Sequence, residues 1–410
     1  MKIKLQKINK LVGDIVARPS KSFAHRYLIA SALSEGESVI SNVDFSDDII
    51  ATLNCIHAYG KKHNRDFENH EVKFYKDSVK NYDPTFDCNE SGTTLRVFMP
   101  IALSKYNKTT FIGSERLIQR GVSIYEDIFK YIYFFKDKYS IKTSGTVNFG
   151  EFYLPGNVSS QYISGLLYTL PLLDGDSKIF ITTELESKNY IFMTLDVLKK
   201  YSISIDTNIF SDTLSNQQIY FIIKGKQKYI SNNFTIEGDY SNIAFIDAFN
   251  YFGNSINIFG LNPNSLQSDI VYKKYFDMLN NGFCEIDISN CIDLGPVLIT
   301  FAALKNGGKF IGTKRLKIKE SDRGNAIATE LKKCNADINV YDDEIIVNKK
   351  ELQKPTTPFS THNDHRIAMS LSLLSNIYDI EINEYECVNK SYPTYFDDLK
   401  NLGLLFNISD

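Results

Sequence analysis

The chain has 410 residues, 43% hydrophobic and 23% charged, with a formal net charge of −3 at pH 7. Such a length exceeds one ordinary hydrophobic core and predicts two domains. The composition excludes a disordered or fibrous chain, the charge offers no broad basic face for nucleic acid, and no apolar run reaches the ~18 residues of a membrane span.

The first ten residues, Met1 to Lys10, alternate charged and apolar groups and read as an edge strand, not a signal peptide. Next comes Arg18-Pro-Ser-Lys-Ser-Phe-Ala-His-Arg26, ahead of the apolar run from Tyr27 to Leu33. This is a helix start: Pro19 presets the backbone, Ser20 or Ser22 can cap the free amides, and Leu28, Ala32 and Leu33 recur at helical spacing. Lys21 and Arg26 oppose the helix dipole here, which suits a bound phosphate or carboxylate; the plainer alternative is a capped helix with solvated charges.

The same arrangement, a polar cap followed by an apolar helix, recurs five times. The later copies start at Ser91, Ser159, Asp239, Asp293 and Asp364. Each helix precedes a short β-like run: Ser38–Asn42, Thr109–Gly113, Lys178–Thr182, Ser255–Phe259, Lys309–Gly312 and Asp379–Asn383. A period of roughly 70 residues is too long for a solenoid, so each copy is a small α/β unit and six divide into three plus three. Phe45–Ile56 and Ser321–Leu331 read as second, amphipathic helices. The polar stretches Ile203–Gln218 and Lys224–Asn233 read as strands joined by turns, with the latter also the best candidate linker. The first domain is expected at 15–233, and the second at 1–14 with 234–410, the N-terminal strand crossing back. Cys55, Cys88, Cys284, Cys291, Cys334 and Cys387 form no C-x-x-C pair, which predicts reduced thiols of a cytoplasmic protein; no metal-ligand spacing occurs either.

Cations gather at the caps and nearby turns: Lys21, Arg26, Arg96, Arg116, Arg120, Arg315, Lys319, Arg323, Arg366 and Lys390. Arginine offers a planar fork for carboxylate or phosphate, and lysine a mobile charge that can shuttle a proton. Interleaved carboxylates, Asp293, Glu320 and Asp364, are candidates for proton transfer. Each alone is more simply a surface ion pair. Together they point to a cleft for a multiply anionic substrate.

Seven segments in order, Pro19–Arg26, Glu90–Arg96, Ser159–Gln161, Glu237–Asp239, Lys319–Arg323, Asn363–Arg366 and Lys390–Pro393, resemble the 5-enolpyruvylshikimate-3-phosphate synthase family of enolpyruvyl transferases across nearly the whole chain. The resemblance implies an α/β fold of two domains, each of three βαββαβ units, in the enolpyruvyl transferase-like inside-out α/β barrel. It implies crossovers near 14–20 and 233–237, and closure over shikimate 3-phosphate and phosphoenolpyruvate. The enolpyruvyl group passes to the 5-hydroxyl and phosphate leaves, with no metal or organic cofactor. Carried over by position, Lys21, Ser22, Arg26, Ser159, Ser160, Gln161, Ser187, Asp293, Arg315 and Lys319 would hold shikimate 3-phosphate. Lys21, Gly92, Thr93, Arg120, Gln161, Arg323, Arg366 and Lys390 would hold phosphoenolpyruvate. A monomer is expected, with neither nucleic-acid nor membrane partner.

The chemistry of the residues agrees with that resemblance. The 5-hydroxyl needs a base, for which Asp293 is the choice, and the methylene of phosphoenolpyruvate must gain and then lose a proton. Glu320 suits that step, with Lys21, Lys390 or His365 as further candidates. Preorganised cations would stabilise a tetrahedral intermediate bearing carboxylate and phosphate. The nearest alternative is the sister family acting on UDP-N-acetylglucosamine. That family carries a Cys or Asp acid in a loop where this chain reads Gly113-Ser-Glu-Arg-Leu-Ile-Gln-Arg120. A non-catalytic anion binder is a further alternative, opposed by the presence of Lys21, Asp293, Glu320 and Lys390 together.

Overall fold

In a computed structural model that describes residues 1–78, 83–209 and 218–409, the chain divides into two compact units. One is Met1–Ser20 with Glu237–Asp410, the other Lys21–Ile236. The divisions fall a few residues beyond the positions read from the sequence. Val12–Val16 still pairs within the unit that holds Glu237–Asp410, and the Ser20 amide still donates to the Glu237 carbonyl.

The repeat is clearest where it is contiguous. From Glu285 the chain runs strand (Glu285–Asp287), helix (Gly295–Leu304), parallel strand (Gly308–Ile311), helix (Arg323–Lys332), then two antiparallel strands, Asp337–Val340 and Glu344–Asn348. The repeats that begin at Thr85 and Glu151 give the same spatial order, first–second–fourth–third. Each of these sheets is open. The first helix of a repeat is apolar on nearly all sides: in Gly92–Lys105 every residue from Thr94 to Leu103 is buried. A helix apolar all round belongs inside, so helices fill each unit and the sheets, with alternating burial along their strands, lie outside them.

The remaining repeats are completed by distant segments. Val12–Val16 leads into the helix Lys21–Leu33 of one unit yet pairs in parallel with Ser255–Phe259 of the other. Phe234–Thr235 leads into Tyr240–Asp247 yet pairs with Ser38–Ser41. The two leading strands are therefore exchanged at the crossings.

Three expectations need correction. Lys2–Leu5 is not an edge strand: it lies between Ile380–Asn383 and Phe406–Ser409, antiparallel to both, with Ile3 and Leu5 fully buried. Its alternation marks one buried face, which says nothing about how many neighbours the backbone has. Lys224–Asn233 contains no strand and is not a free linker. The amides of Lys226 and Gln227 donate to Leu173 and Pro171, and the buried Tyr229 hydroxyl donates to the Tyr168 carbonyl. Asp293 does not cap its helix; it sits in the 3-10 turn Ile292–Leu294, and the α-helix begins at Gly295. Of Ile203–Gln218, the part Ile205–Thr207 is a strand, and 210–217 lie outside the described residues.

Candidate active site

In the Lys21–Ile236 unit the expected ligands gather around helix N-termini. Lys21 is the first residue of Lys21–Leu33, and its Nζ donates to Asp48 Oδ2 at 2.7 Å. One turn on, Arg26 is buried and spans two helices: Nη1 donates to the Ser22 carbonyl at 2.7 Å, Nε to Thr194 Oγ1 at 3.0 Å and Nη2 to the Tyr190 carbonyl at 2.8 Å. Ser187, just ahead of that second helix, Lys188–Lys200, is buried in the left-handed region with φ 54°.

Ser91 caps Gly92–Lys105, accepting from the Thr94 amide at 3.2 Å, and Ser159 caps Ser160–Thr169, accepting from the Gln161 amide at 3.3 Å. The two helices are bound by a directed relay. Arg96 Nη1 donates to Gln161 Oε1 at 2.7 Å, which turns the other end of that amide, Nε2, to donate to Thr93 Oγ1 at 2.9 Å. Arg120 ends the helix Glu115–Arg120 against Gly92, where a Cβ would lie 3.1 Å from Arg120 Nη2. Gly92 is thus what lets a guanidinium approach the backbone at that helix start.

In the other unit the expected groups form a charge network around Arg323, which is 1% exposed. Its Nη1 donates to Asp293 Oδ1 at 2.7 Å, Nη2 to Glu320 Oε2 at 2.6 Å and Nε to Asp364 Oδ2 at 2.8 Å. Lys319 Nζ lies 3.2 Å from Asp293 Oδ1 and Arg366 Nη2 3.5 Å from Asp293 Oδ2. Burial alone would push the Asp293 carboxyl up, but Arg366, Lys319 and Arg323 outweigh it and hold the group well below the usual carboxylate range. Lys319 goes the other way: burial lowers it from the ordinary lysine value, although Asp293 opposes this. Arg315 Nη2 donates to the Ser289 carbonyl, and Lys390 Nζ to the Asn363 carbonyl.

Asp364, expected among the proton-transfer carboxylates, is fully buried and committed elsewhere. It caps His365–Ser372 through the Arg366 amide and accepts from Ser321 and Arg323. Two of its hydrogen bonds come from Arg323, through Nε and Nη2. His365 is 1% exposed, its Nδ1 3.8 Å from Asp364 Oδ1.

Sequence reading gave no role to three groups that the structure places at these clusters. Asp48 lies in the first turn of Asp47–Tyr59, a segment that read only as a second, amphipathic helix. Arg96 was counted among the cations without a partner. Asp269 carried no signal at all, since a single aspartate in a polar stretch does not announce its burial. Its carboxyl is pushed up to about 6, first by burial and then by Asp293, against Arg366 and Ser241. Among the described residues, no group of three or more His, Cys, Asp or Glu is placed to hold a metal ion, and no helix is long and apolar enough to cross a membrane.

The family model described as EPSP synthase (3-phosphoshikimate 1-carboxyvinyltransferase) matches residues 5–284 and 267–399. A protein named 3-phosphoshikimate 1-carboxyvinyltransferase from Clostridium perfringens (strain 13 / Type A) is 42% identical over 430 residues, covering 96% of this chain and 97% of that protein. One of the same name from Clostridioides difficile (strain 630) is 39% identical, covering 96% of each. Among solved structures, an EPSP synthase from Acinetobacter baumannii superposes with a TM-score of 0.76 at 20% identity over the whole of both chains, a likeness of fold.

Proposed function

This chain belongs to the EPSP synthase family, and on that premise we propose how its own residues carry out enolpyruvyl transfer from phosphoenolpyruvate to the 5-hydroxyl of shikimate 3-phosphate. The observation that carries the assignment of roles is the setting of Asp293: a part-buried carboxylate with Lys319, Arg323 and Arg366 around it, which hold it ionised. A hydroxyl is a poor nucleophile until its proton is drawn off, and an ionised carboxylate within hydrogen-bond reach does that.

Asp293 takes the proton of the 5-hydroxyl as its oxygen bonds to C2 of phosphoenolpyruvate, while C3 gains a proton and becomes a methyl group. The tetrahedral intermediate then loses a proton from that methyl as the C2–O bond to phosphate breaks, which restores the double bond and releases phosphate. Glu320, Lys21 and Lys390 are the groups proposed for the C3 proton, with His365 secondary because it is buried beside Asp364. Every step moves a proton or a group between the two substrates, so side chains supply the chemistry.

The anionic groups are assigned to the cations and helix starts. Lys21, Gly92, Thr93, Arg120, Gln161, Arg323, Arg366 and Lys390 receive phosphoenolpyruvate. Lys21, Ser22, Arg26, Ser159, Ser160, Gln161, Ser187, Asp293, Arg315 and Lys319 receive shikimate 3-phosphate. Fixed guanidinium and amide donors stabilise the charge that develops in the intermediate. A monomeric cytoplasmic enzyme completes the proposal, and the net charge of −3 supports its having no nucleic-acid partner.

The test is phosphate release by Asp293→Asn and Lys21→Met, each checked for a native circular dichroism spectrum. Loss of at least about a hundredfold in kcat for each, the scale of a general acid or base, supports these roles. Near-parental turnover by folded Asp293→Asn would remove Asp293 as the base.

A further inference from the structure

The helix that begins at Lys21 and the helix that begins at Gly92 are joined by a chain of buried polar side chains that the proposed chemistry does not use. His25 Nδ1 lies 2.7 Å from Thr52 Oγ1, Thr52 Oγ1 lies 2.7 Å from Thr94 Oγ1, and Thr94 Oγ1 donates to Ser91 Oγ at 2.7 Å. Each of the four residues is at most 1% exposed. The chain has one direction. Because Thr94 gives its hydroxyl proton to Ser91, Thr52 can serve Thr94 only as donor, so His25 Nδ1 must donate to Thr52. Burial, reinforced by Lys21 and Arg26, keeps the imidazole well below its ordinary pKa and therefore neutral, which leaves Nδ1–H as the required tautomer.

A second chain ties the first helix to a different pair. Arg26 Nε donates to Thr194 Oγ1 at 3.0 Å, and Thr194 Oγ1 lies 2.9 Å from Ser164 Oγ on the helix Ser160–Thr169. One link therefore runs from the Lys21 helix to Ser91, next to Gly92 and Thr93. The other runs to the helices that carry Ser160, Gln161 and, just ahead of Lys188, Ser187.

We propose that Thr52, acting through the His25–Thr52–Thr94–Ser91 chain, is a positioning residue for phosphoenolpyruvate, and that Thr194 is its counterpart for shikimate 3-phosphate. This rests on the substrate assignments proposed above. In this unit phosphoenolpyruvate draws on Lys21 from one helix and Gly92 and Thr93 from another, so its site is only as fixed as the spacing between those two helix starts. Thr52 sits in the middle helix, Asp47–Tyr59, and holds both through one hydroxyl. A buried hydroxyl that bridges two partners leaves both unsatisfied when it is lost, and the surrounding backbone shifts to compensate.

The experiment compares parent, Thr52→Val, Thr52→Ser and Thr194→Val by steady-state kinetics in both substrates. Thr52→Val is expected to raise KM for phosphoenolpyruvate about tenfold, equal to about 1.4 kcal/mol. It should leave KM for shikimate 3-phosphate within about twofold, and Thr52→Ser should restore the parent value. Thr194→Val should show the mirror image. Equal changes in both KM values, a change in kcat alone, or no rescue by serine would overturn the positioning role.

Selective 15N-histidine labelling of the parent gives an independent reading, with His25 expected as the Nδ1–H tautomer. An Nε2–H tautomer breaks the chain at its first link and overturns the proposal whether or not Thr52→Val folds. If the parent itself forms no product from the two substrates, the functional reading fails first and the positioning role falls with it.

Discussion

Arg323 Nη1 donates to Asp293 Oδ1 at 2.7 Å, so the carboxylate proposed as the base is held by a guanidinium that is itself 1% exposed and also bonded to Glu320 and Asp364. The fork of arginine matches this demand for three directions at once; a lysine ammonium at the same place keeps the charge but not the geometry. Arg323→Lys is therefore expected to destabilise its unit by about 3 kcal/mol, the cost typical of breaking a buried charge pair. Urea denaturation measures it, and a loss below about 0.5 kcal/mol would show that the network does not depend on the fork.

The cations around Asp293 set its titration. Its carboxyl lies well below the ordinary value, so it stays ionised through the neutral range and the acid limb of kcat/KM should not come from it above pH 5. Lys319→Met removes one of the three cations. The Asp293 carboxyl then moves up toward the ordinary carboxylate range, so the fall of kcat/KM below pH 5 should begin at higher pH in the variant than in the parent; coincident profiles would mean that Lys319 does not help to hold Asp293 ionised.

Asp269 predicts the opposite sign in stability. Its folded pKa of about 6 is above the unfolded value, so its contribution is fully present below about pH 4 and is lost as pH rises through about 6. Asp269→Asn cannot ionise. The stability of the variant relative to the parent should increase between pH 4.5 and pH 7.5 by about 2 kcal/mol, read from paired urea denaturation curves. A difference independent of pH would place the Asp269 carboxyl near its ordinary value.

At Gly92 a Cβ would come within 3.1 Å of Arg120 Nη2 and 3.3 Å of Arg96 Nη1. Both are far ends of flexible side chains, so Gly92→Ala should fold and push the guanidinium groups aside by a few tenths of an ångström. The expected cost is about tenfold in KM for phosphoenolpyruvate, with kcat and the other KM nearly unchanged. Steady-state kinetics check it, and an unchanged KM would mean that Arg120 does not serve that substrate.

Much of this was legible in the chain because the repeat writes itself in local terms. Ser91, Ser159, Asp239 and Asp364 all cap helices where a polar residue precedes an apolar run, and the six strand segments fall within a residue or so of their expected places. What was not legible depended on contacts distant in sequence. The burial of Tyr229 against Tyr168 turned a polar stretch that read as a linker into part of a packed unit. The strand Lys2–Leu5 gained neighbours from residues almost four hundred positions away. At the candidate site, residue types located the cations, but only the fold showed that Asp364 is spent on Arg323 and a helix cap, and that Thr52 joins His25 to Thr94.

The acceptor is the central claim, and phosphate release from phosphoenolpyruvate tests it most directly. Three parallel reactions contain shikimate 3-phosphate, UDP-N-acetylglucosamine or no acceptor. The account predicts release with shikimate 3-phosphate alone, one phosphate for each enol ether formed. Release with the sugar nucleotide instead, or equal release without any acceptor, would contradict it.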